Sequence, residues 1–224
     1  MLRKKTVIIG AGGHAKVVMD ILLANPEIEV VGLIDKRDGS NIRGYKRLGD
    51  DSLLPELLRQ DIRHAFVAVG DNDLRRRLAK RAAALGFQFI NAISPHAVVS
   101  ETASLGNGIA LMPGSIINAD ARIGDHAIVN TGASVDHDCM IGSLTHLAPG
   151  CRLAGGVTTG EGVFLGIGSK TVDQAFIGAW SVVGAGAVVV GDIPDRCLAY
   201  GVPARIVKAI DAGFLAHRKE NHMS

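Results

Sequence analysis

In 224 residues, 28 glycines stand against only 4% aromatic side chains, a balance that favours tight, repeated turns and small layered side chains over a bulky aromatic core. The formal net charge of +2, from 24 basic and 22 acidic residues, is too small a field to recruit nucleic acid or an anionic membrane, so small molecules are the expected partners. Cys139, Cys151 and Cys197 form no CxxC pair, and their odd number argues against a secreted disulfide framework. Reduced thiols, a cytoplasmic location and no metal site are expected.

Arg3, Lys4 and Lys5 precede an apolar run, as in a signal peptide, but His14 and Lys16 interrupt that run too soon. Thr6 to Ile9 reads as a buried strand leading into Gly10-Ala-Gly-Gly13, and Ala15 to Leu23 has helical spacing. Further strands are expected at Glu29 to Ile34, Phe66 to Val69 and Phe87 to Ile90. Helices are expected at Leu53 to Leu58 and at Asp73 to Leu85, the latter capped by Asp71 or Asn72 and stopped by Gly86. Alternating strands and helices over residues 1–92 predict a small Rossmann-like parallel sheet with ligand loops at its carboxyl edge.

The loop from Gly10 to Ala15 fits a relaxed GxGxxA fingerprint, whose glycines let phosphate oxygens reach the amides of a helix N-terminus. Asp35, ending the second strand, stands where a carboxylate meets ribose hydroxyls. The unit is only about half of a full dinucleotide fold, which favours a mononucleotide or sugar nucleotide over NAD. Glycines serving only the tight turn are the plainer alternative.

From Val99 to Val189 a residue recurs at every sixth position, aliphatic throughout except at Thr159 and Thr171. Four residues after each comes a second, mostly small one, among them Ala121, Ala127, Ala133, Cys139 and Cys151. Glycine recurs directly after the aliphatic position, as at Gly106, Gly124 and Gly142, where a turn is expected to bend sharply. Neither a helix, with period 3.6, nor an ordinary strand, with period 2, explains a strict six; a triangular solenoid does. The pattern predicts a left-handed parallel β-helix over residues 93–208, an exception to the right-handed crossover preference, followed by a tail over 209–224. The uncharged stretch from Gln174 to Gly191 belongs to this period and is not read as a membrane helix.

The same phase sorts the chemistry. Cys139 and Cys151 point inward as core fillers. His137 and Asp138 fall on an outward turn, where a carboxylate beside an imidazole can fix its tautomer and raise its basicity. His146 is expected on the outer surface, and His126, in an analogous position, is read as bland.

Together, Ile9-Gly-Ala-Gly-Gly-His-Ala-Lys-Val-Val18, Leu33-Ile-Asp35, Ala68-Val-Gly-Asp-Asn72, Asn130-Thr-Gly-Ala-Ser-Val-Asp-His-Asp138 and Tyr200-Gly-Val-Pro-Ala-Arg205 carry a resemblance over nearly the whole chain. It resembles the bacterial hexapeptide-repeat sugar acetyltransferases, which include the 4-amino-sugar N-acetyltransferases of the bacillosamine and perosamine pathways and the sialic acid O-acetyltransferases. The resemblance implies a homotrimer with each site in the cleft between adjacent β-helices, beside the N-terminal domain. It implies an acetyl-CoA-dependent N-acetyltransferase acting on a nucleotide-linked 4-amino-4,6-dideoxy sugar by direct transfer, with His137 as general base oriented by Asp138. By the same similarity Gly12, Gly13, His14, Asp35, Lys36 and Asn130 hold the nucleotide sugar. His146, Gly155 and Ile167 lie near acetyl-CoA, and Gly201 to Ala204 toward its adenine end.

Three alternatives remain open at this point. An O-acetyl transfer to a sialic acid stays within the family. An NAD-dependent oxidoreductase or nucleotide sensor would rest on the glycine loop and Asp35 and leave the coil idle. A purely structural trimer would use the solenoid as a spacer.

Overall fold

A computed structural model describes residues 3–39 and 41–211; of the expected tail, residues 212–224 lie outside the described residues. The chain opens with β1 (Lys4–Ile9), α1 (Gly13–Leu23), β2 (Ile28–Ile34), β3 (Asn41–Ile42), β4 (Tyr45–Gly49), α2 (Leu54–Arg59), β5 (His64–Val67), α3 (Asn72–Leu85) and β6 (Gln88–Phe89). These make one sheet in the order β3-β4-β2-β1-β5-β6, parallel at every pairing but β3 with β4. Thr6 to Ile9 of β1 are all buried because layers pack on both faces of the sheet. One contains Val18, Met19 and Leu22 of α1; the other contains Leu54, Leu57, Ala79 and Ala82 of α2 and α3.

The hairpin β3–β4 was not among the expected strands. Its two-residue turn uses positive φ at Arg43 and Gly44, with Asn41 Oδ1 accepting from Gly44 N at 3.0 Å, and neither short strand carries an apolar run to announce it. The strand expected at Phe66 to Val69 ends two residues earlier, which frees Ala68, Val69 and Gly70 as a loop at the carboxyl edge. At α3, Asp71 accepts from Leu74 N at 2.7 Å, and Gly86 closes the helix at φ 100°, as the capping pattern predicts.

Two-residue strands from Ala92–Ile93 to Val188–Val189 then stack into three parallel sheets, forming a left-handed β-helix closed by Cys197–Tyr200 and Arg205–Ala209. Residue i pairs with i+18, as in Ile116 with Ser134 and Ser134 with Arg152, so three hexapeptides make one coil. Both sequence registers point inward: Leu111, Val129, Leu147 and Leu165 are fully buried, and so are Ala127, Cys139, Thr145 and Cys151. The two threonines of the aliphatic register bind backbone: Gly142 N donates to Thr159 Oγ1 at 3.0 Å and Ala154 N to Thr171 Oγ1 at 3.2 Å.

The recurrent glycines serve a purpose other than the one expected. The bend falls three residues after the aliphatic position, where every sixth residue from Gly108 to Gly186 has positive φ. The glycine directly after the aliphatic lacks positive φ but meets the next coil: a Cβ on Gly124 would lie 2.5 Å from Ser143 N, and one on Gly142 2.4 Å from Gly160 O. Close stacking, not bending, requires it.

The left-handed positions form three columns, one per corner. Gly114, Gly132, Gly150, Gly168 and Gly186 make one; Asp120, Asp138, Gly156 and Gln174 another; Gly108, His126, Leu144, Gly162 and Trp180 the third. The first turns of α3 dock on the third corner, where Asn72 Nδ2 donates to Gly162 O at 3.0 Å and the Arg76 guanidinium lies 4.9 Å from the Trp180 ring centre. Among the described residues no helix is long and apolar enough to cross a membrane.

Candidate active site

Five expected residues, Gly12, Gly13, His14, Asp35 and Lys36, converge on one cleft of about 520 Å³ at the carboxyl edge of the sheet. Its floor is the start of α1, capped only by Gly12 and bare of acidic side chains in its first turn, so its amide donors and helix dipole face the cleft. Gly10, at φ 109°, has no room for a Cβ, which would stand 2.9 Å from Ala68 O; Gly13 has open space. Burial, and secondarily the charge of Arg75, lowers the His14 pKa to about 4, and its buried Nε2 has no hydrogen-bond partner.

Asp35 is engaged by its own loop. Ala11 N donates to Oδ2 at 2.7 Å, while Arg37 donates its backbone N–H and Nε–H to Oδ1 at 2.9 and 3.1 Å and its Nη2 to Oδ2 at 3.2 Å. Burial acts to raise this carboxyl's pKa, but the Arg37 and Ala11 donors prevail and bring it to about 2. Arg37, absent from the sequence-based set, therefore belongs to the cleft; the Asp35-Lys36-Arg37 run was its only signal. A larger cavity of about 820 Å³ lies at the amino-terminal ends of the strands, faced by Lys4, His64 and His126, and holds none of the expected residues.

On the second corner, His137 and Asp138 touch: Nδ1 lies 2.8 Å from Asp138 Oδ2. Asp138 has φ 59°, and this turn geometry carries the carboxylate beside the preceding side chain. His137 N donates to Asp136 Oδ1 at 2.9 Å, and Asn118 Nδ2 donates to the same oxygen at 2.9 Å. The Asp138 hydrogen bond raises the His137 pKa above the ordinary histidine value, slight burial opposes it, and the charges of Asp136, Asp138 and Asp173 reinforce it. The His137 side chain is 62% exposed, and the bond to Asp138 commits Nδ1, leaving Nε2 as its outward-acting nitrogen.

His146 corrects an expectation. It points out of the coil, as its phase demands, yet is only 8% exposed, because the N-terminal unit covers that face. Its Nδ1 lies 3.1 Å from Gly70 O and its Nε2 3.1 Å from Asn130 Nδ2; its ring packs edge-on to Phe164 and stands 6.4 Å from that of His14. His126 is likewise not a bland surface residue: its carbonyl accepts from Arg75 Nε at 2.9 Å and its ring stands edge-to-face on Phe89. Gly155 lies under the His137 ring, beside the corner of Asp138 and Gly156, whereas Ile167, 59% exposed, lies at the corner of Gly150 and Gly168, so these two residues expected near acetyl-CoA stand on different corners of one chain.

Residues 5–82 match the PglD N-terminal domain family. The chain is similar to perosamine N-acetyltransferase from Caulobacter crescentus, solved as a histidine-to-asparagine variant with CoA and GDP-perosamine, at 50% identity and a TM-score of 0.89, covering 91% of this chain and 97% of that one. It is also similar to the acetyltransferase domain of PglB from Neisseria gonorrhoeae FA1090 in complex with acetyl coenzyme A, at 37% identity and a TM-score of 0.86, covering 92% of this chain and 100% of that one. UDP-N-acetylbacillosamine N-acetyltransferase of Bacillus subtilis (strain 168) is 41% identical over 112 residues, 49% of this chain. The chain spans about half the length of that curated relative, 51%, in the match.

Proposed function

We propose, from the premise that this chain belongs to the bacterial hexapeptide-repeat sugar acetyltransferases, that it transfers the acetyl group of acetyl-CoA to the amine of a nucleotide-linked 4-amino-4,6-dideoxy sugar. The observation that carries the reading is the His137–Asp138 pair, a raised-pKa imidazole on an open corner with one nitrogen committed to a carboxylate. That chemistry suits a general base. A GDP-linked sugar is the first substrate to try, since GDP-perosamine is what the 50%-identical relative binds.

In this reading the diphosphate sits at the start of α1, against the Gly12 and Gly13 amides, with His14, Lys36 and Arg37 around it. The sugar nitrogen attacks the thioester carbon, a C–N bond forms and the C–S bond breaks. Nε2 of His137 takes the proton that nitrogen sheds and returns it to the departing sulfur, so the products are the acetamido sugar and CoA thiol. No acyl-enzyme is needed, because a neutral amine is nucleophilic enough to attack the thioester directly, and the buried Cys139 and Cys151 offer no carrier. Their reduced state also suits a cytoplasmic enzyme.

The chain acts as a homotrimer. Asn130 and His146 belong to the face that the N-terminal unit covers, whereas His137 stands on a different corner, so a site using all three is completed by a neighbouring copy. Met140 and Phe176, outward-facing apolar residues of one sheet and 53% and 42% exposed, suit such packing. His146, Gly155 and Ile167 would then meet the acetyl-CoA arm.

Incubation with acetyl-CoA and GDP-, UDP- and dTDP-linked 4-amino sugars, read by thiol release and product mass, tests the proposal. His137→Ala should lower turnover by about 10²- to 10⁴-fold with the fold retained. Near-normal turnover in that variant would move the base elsewhere, with His146 next in line; no product from any sugar would remove the reading.

A further inference from the structure

Arg75, on the docking face of α3, is only 1% exposed, yet every donor of its guanidinium is met. Nε donates to His126 O at 2.9 Å; Nη1 to Val69 O at 3.0 Å and Gly70 O at 3.1 Å; Nη2 to Asn72 Oδ1 at 2.9 Å and Leu144 O at 2.7 Å. Burial lowers its pKa to about 9, opposed by the charge of Asp71, so the group remains a cation at neutral pH. Apolar packing could dock a helix without desolvating a charge. What apolar packing cannot do is aim carbonyls, and Arg75 aims four of them: two on the loop that lines the nucleotide cleft and two on the corner of the coil.

The Gly70 carbonyl uses its second lone pair on His146 Nδ1, 3.1 Å away. A carbonyl only accepts, so the proton of His146 sits on Nδ1, and Nε2 is left as an acceptor for Asn130 Nδ2 at 3.1 Å. The carboxamide orientation is set independently from its other end, where Asn130 Oδ1 accepts from Thr131 N at 2.8 Å. Both ends of the chain of bonds therefore demand the same tautomer.

We propose that Arg75 is a positioning residue for acetyl transfer: by fixing the Gly70 carbonyl it sets His146 as the Nδ1–H tautomer and, through Nε2, orients the Asn130 carboxamide toward the sugar. The proposal rests on the functional reading above, and it ties the nucleotide cleft to the coil through a single cation.

Nitrogen-15 spectra of the imidazoles, assigned with a His146→Gln variant, test it together with kinetics. In the wild-type chain His146 should show a protonated Nδ1 and a bare Nε2. In Arg75→Lys one ammonium replaces the planar fork and cannot hold the Gly70 and Leu144 carbonyls together. His146 should then exchange between tautomers, and kcat should fall by about 10²-fold, the cost of a displacement near 1 Å, while unfolding remains cooperative. Arg76→Ala loses the Trp180 contact without touching Gly70 and should leave both the His146 signal and kcat unchanged.

A wild-type His146 protonated on Nε2 overturns the proposal without any variant. So does an Arg75→Lys chain that keeps the wild-type tautomer and kcat; if that variant does not fold, Arg75→Gln is read by the same two criteria. Absence of acetyl transfer by the wild-type chain overturns the functional reading instead, and the tautomer of the Arg75 variant then still decides whether Arg75 sets His146.

Discussion

The imidazole of His137 lies directly against the backbone of Gly155 in the next coil, where an added Cβ would stand 2.5 Å from Cε1 and 2.6 Å from Nε2. The 18-residue repeat brings the two residues into register, and the missing side chain at 155 is what gives the ring its seat. Asp138 holds the ring from one side and the bare glycine backbone bounds it from the other.

Gly155→Ala is therefore expected to displace the ring without unfolding the coil, since Gly155 lacks the positive φ that would strain an alanine. A shift near 1 Å at the base should lower turnover by about 10²-fold, with the thermal midpoint little changed. Thiol release and thermal melts on the same preparation check it, and full turnover would show that the ring does not need this seat.

The pH profile of kcat/KM should carry an acid limb set by His137, because only the unprotonated ring accepts the amine proton. The Asp138 hydrogen bond raises that pKa above the ordinary histidine value. Asp138→Asn removes the anionic acceptor, so the limb should move to lower pH while the plateau falls, the ring being both less basic and less well oriented. A profile whose acid limb is unmoved in this variant would assign the limb to another group.

How far the sequence reaches can be judged residue by residue. The period of six foretold Leu147 and Cys151 as inward and His137 as outward, because a solenoid's register is local and repeats. It could not foretell that His146 is covered, since what covers it, Gly70, lies 76 residues earlier and arrives only when α3 docks. Arg37 and Arg75 were invisible for related reasons. Each acts through a loop carbonyl or carboxylate whose direction no spacing encodes, and an arginine in a charged run reads as solvated. The β3–β4 hairpin was missed because Arg43 takes a left-handed turn position that glycine or asparagine usually announces.

The cysteines provide a test of direct transfer. Cys139 Sγ donates to Ala154 O at 3.2 Å and Cys151 Sγ to Gly166 O at 3.2 Å, and burial pushes both thiols up in pKa. A thiol reagent should modify Cys197, which is half-buried, in the native chain and all three cysteines only after denaturation. The double variant Cys139→Ala, Cys151→Ala should lose about 1 kcal/mol of stability per site and keep its turnover. Turnover abolished in a folded double variant would instead indicate a covalent carrier.

His14 should make the fold acid-sensitive in a defined window. Its folded-state pKa, about 4, lies below the ordinary 6.5 because the ring is buried neutral. Between those values the unfolded chain binds a proton that the folded chain refuses. Stability is thus intact above pH 6.5 and declines as pH falls toward 4, by at most about 3 kcal/mol. Burial lowers the pKa of His64 and His126 as well, which adds to the slope in the same direction. His14→Gln should flatten the fall in thermal midpoint between pH 7.5 and pH 5; an equal fall in the variant would assign the sensitivity to the other histidines. An anion bound at the start of α1 should oppose this preference at His14, because a diphosphate beside the ring favours the imidazolium. GDP should therefore raise the midpoint more at pH 5 than at pH 7.5 in the wild-type chain, and equally at both in His14→Gln, if His14 faces the phosphates.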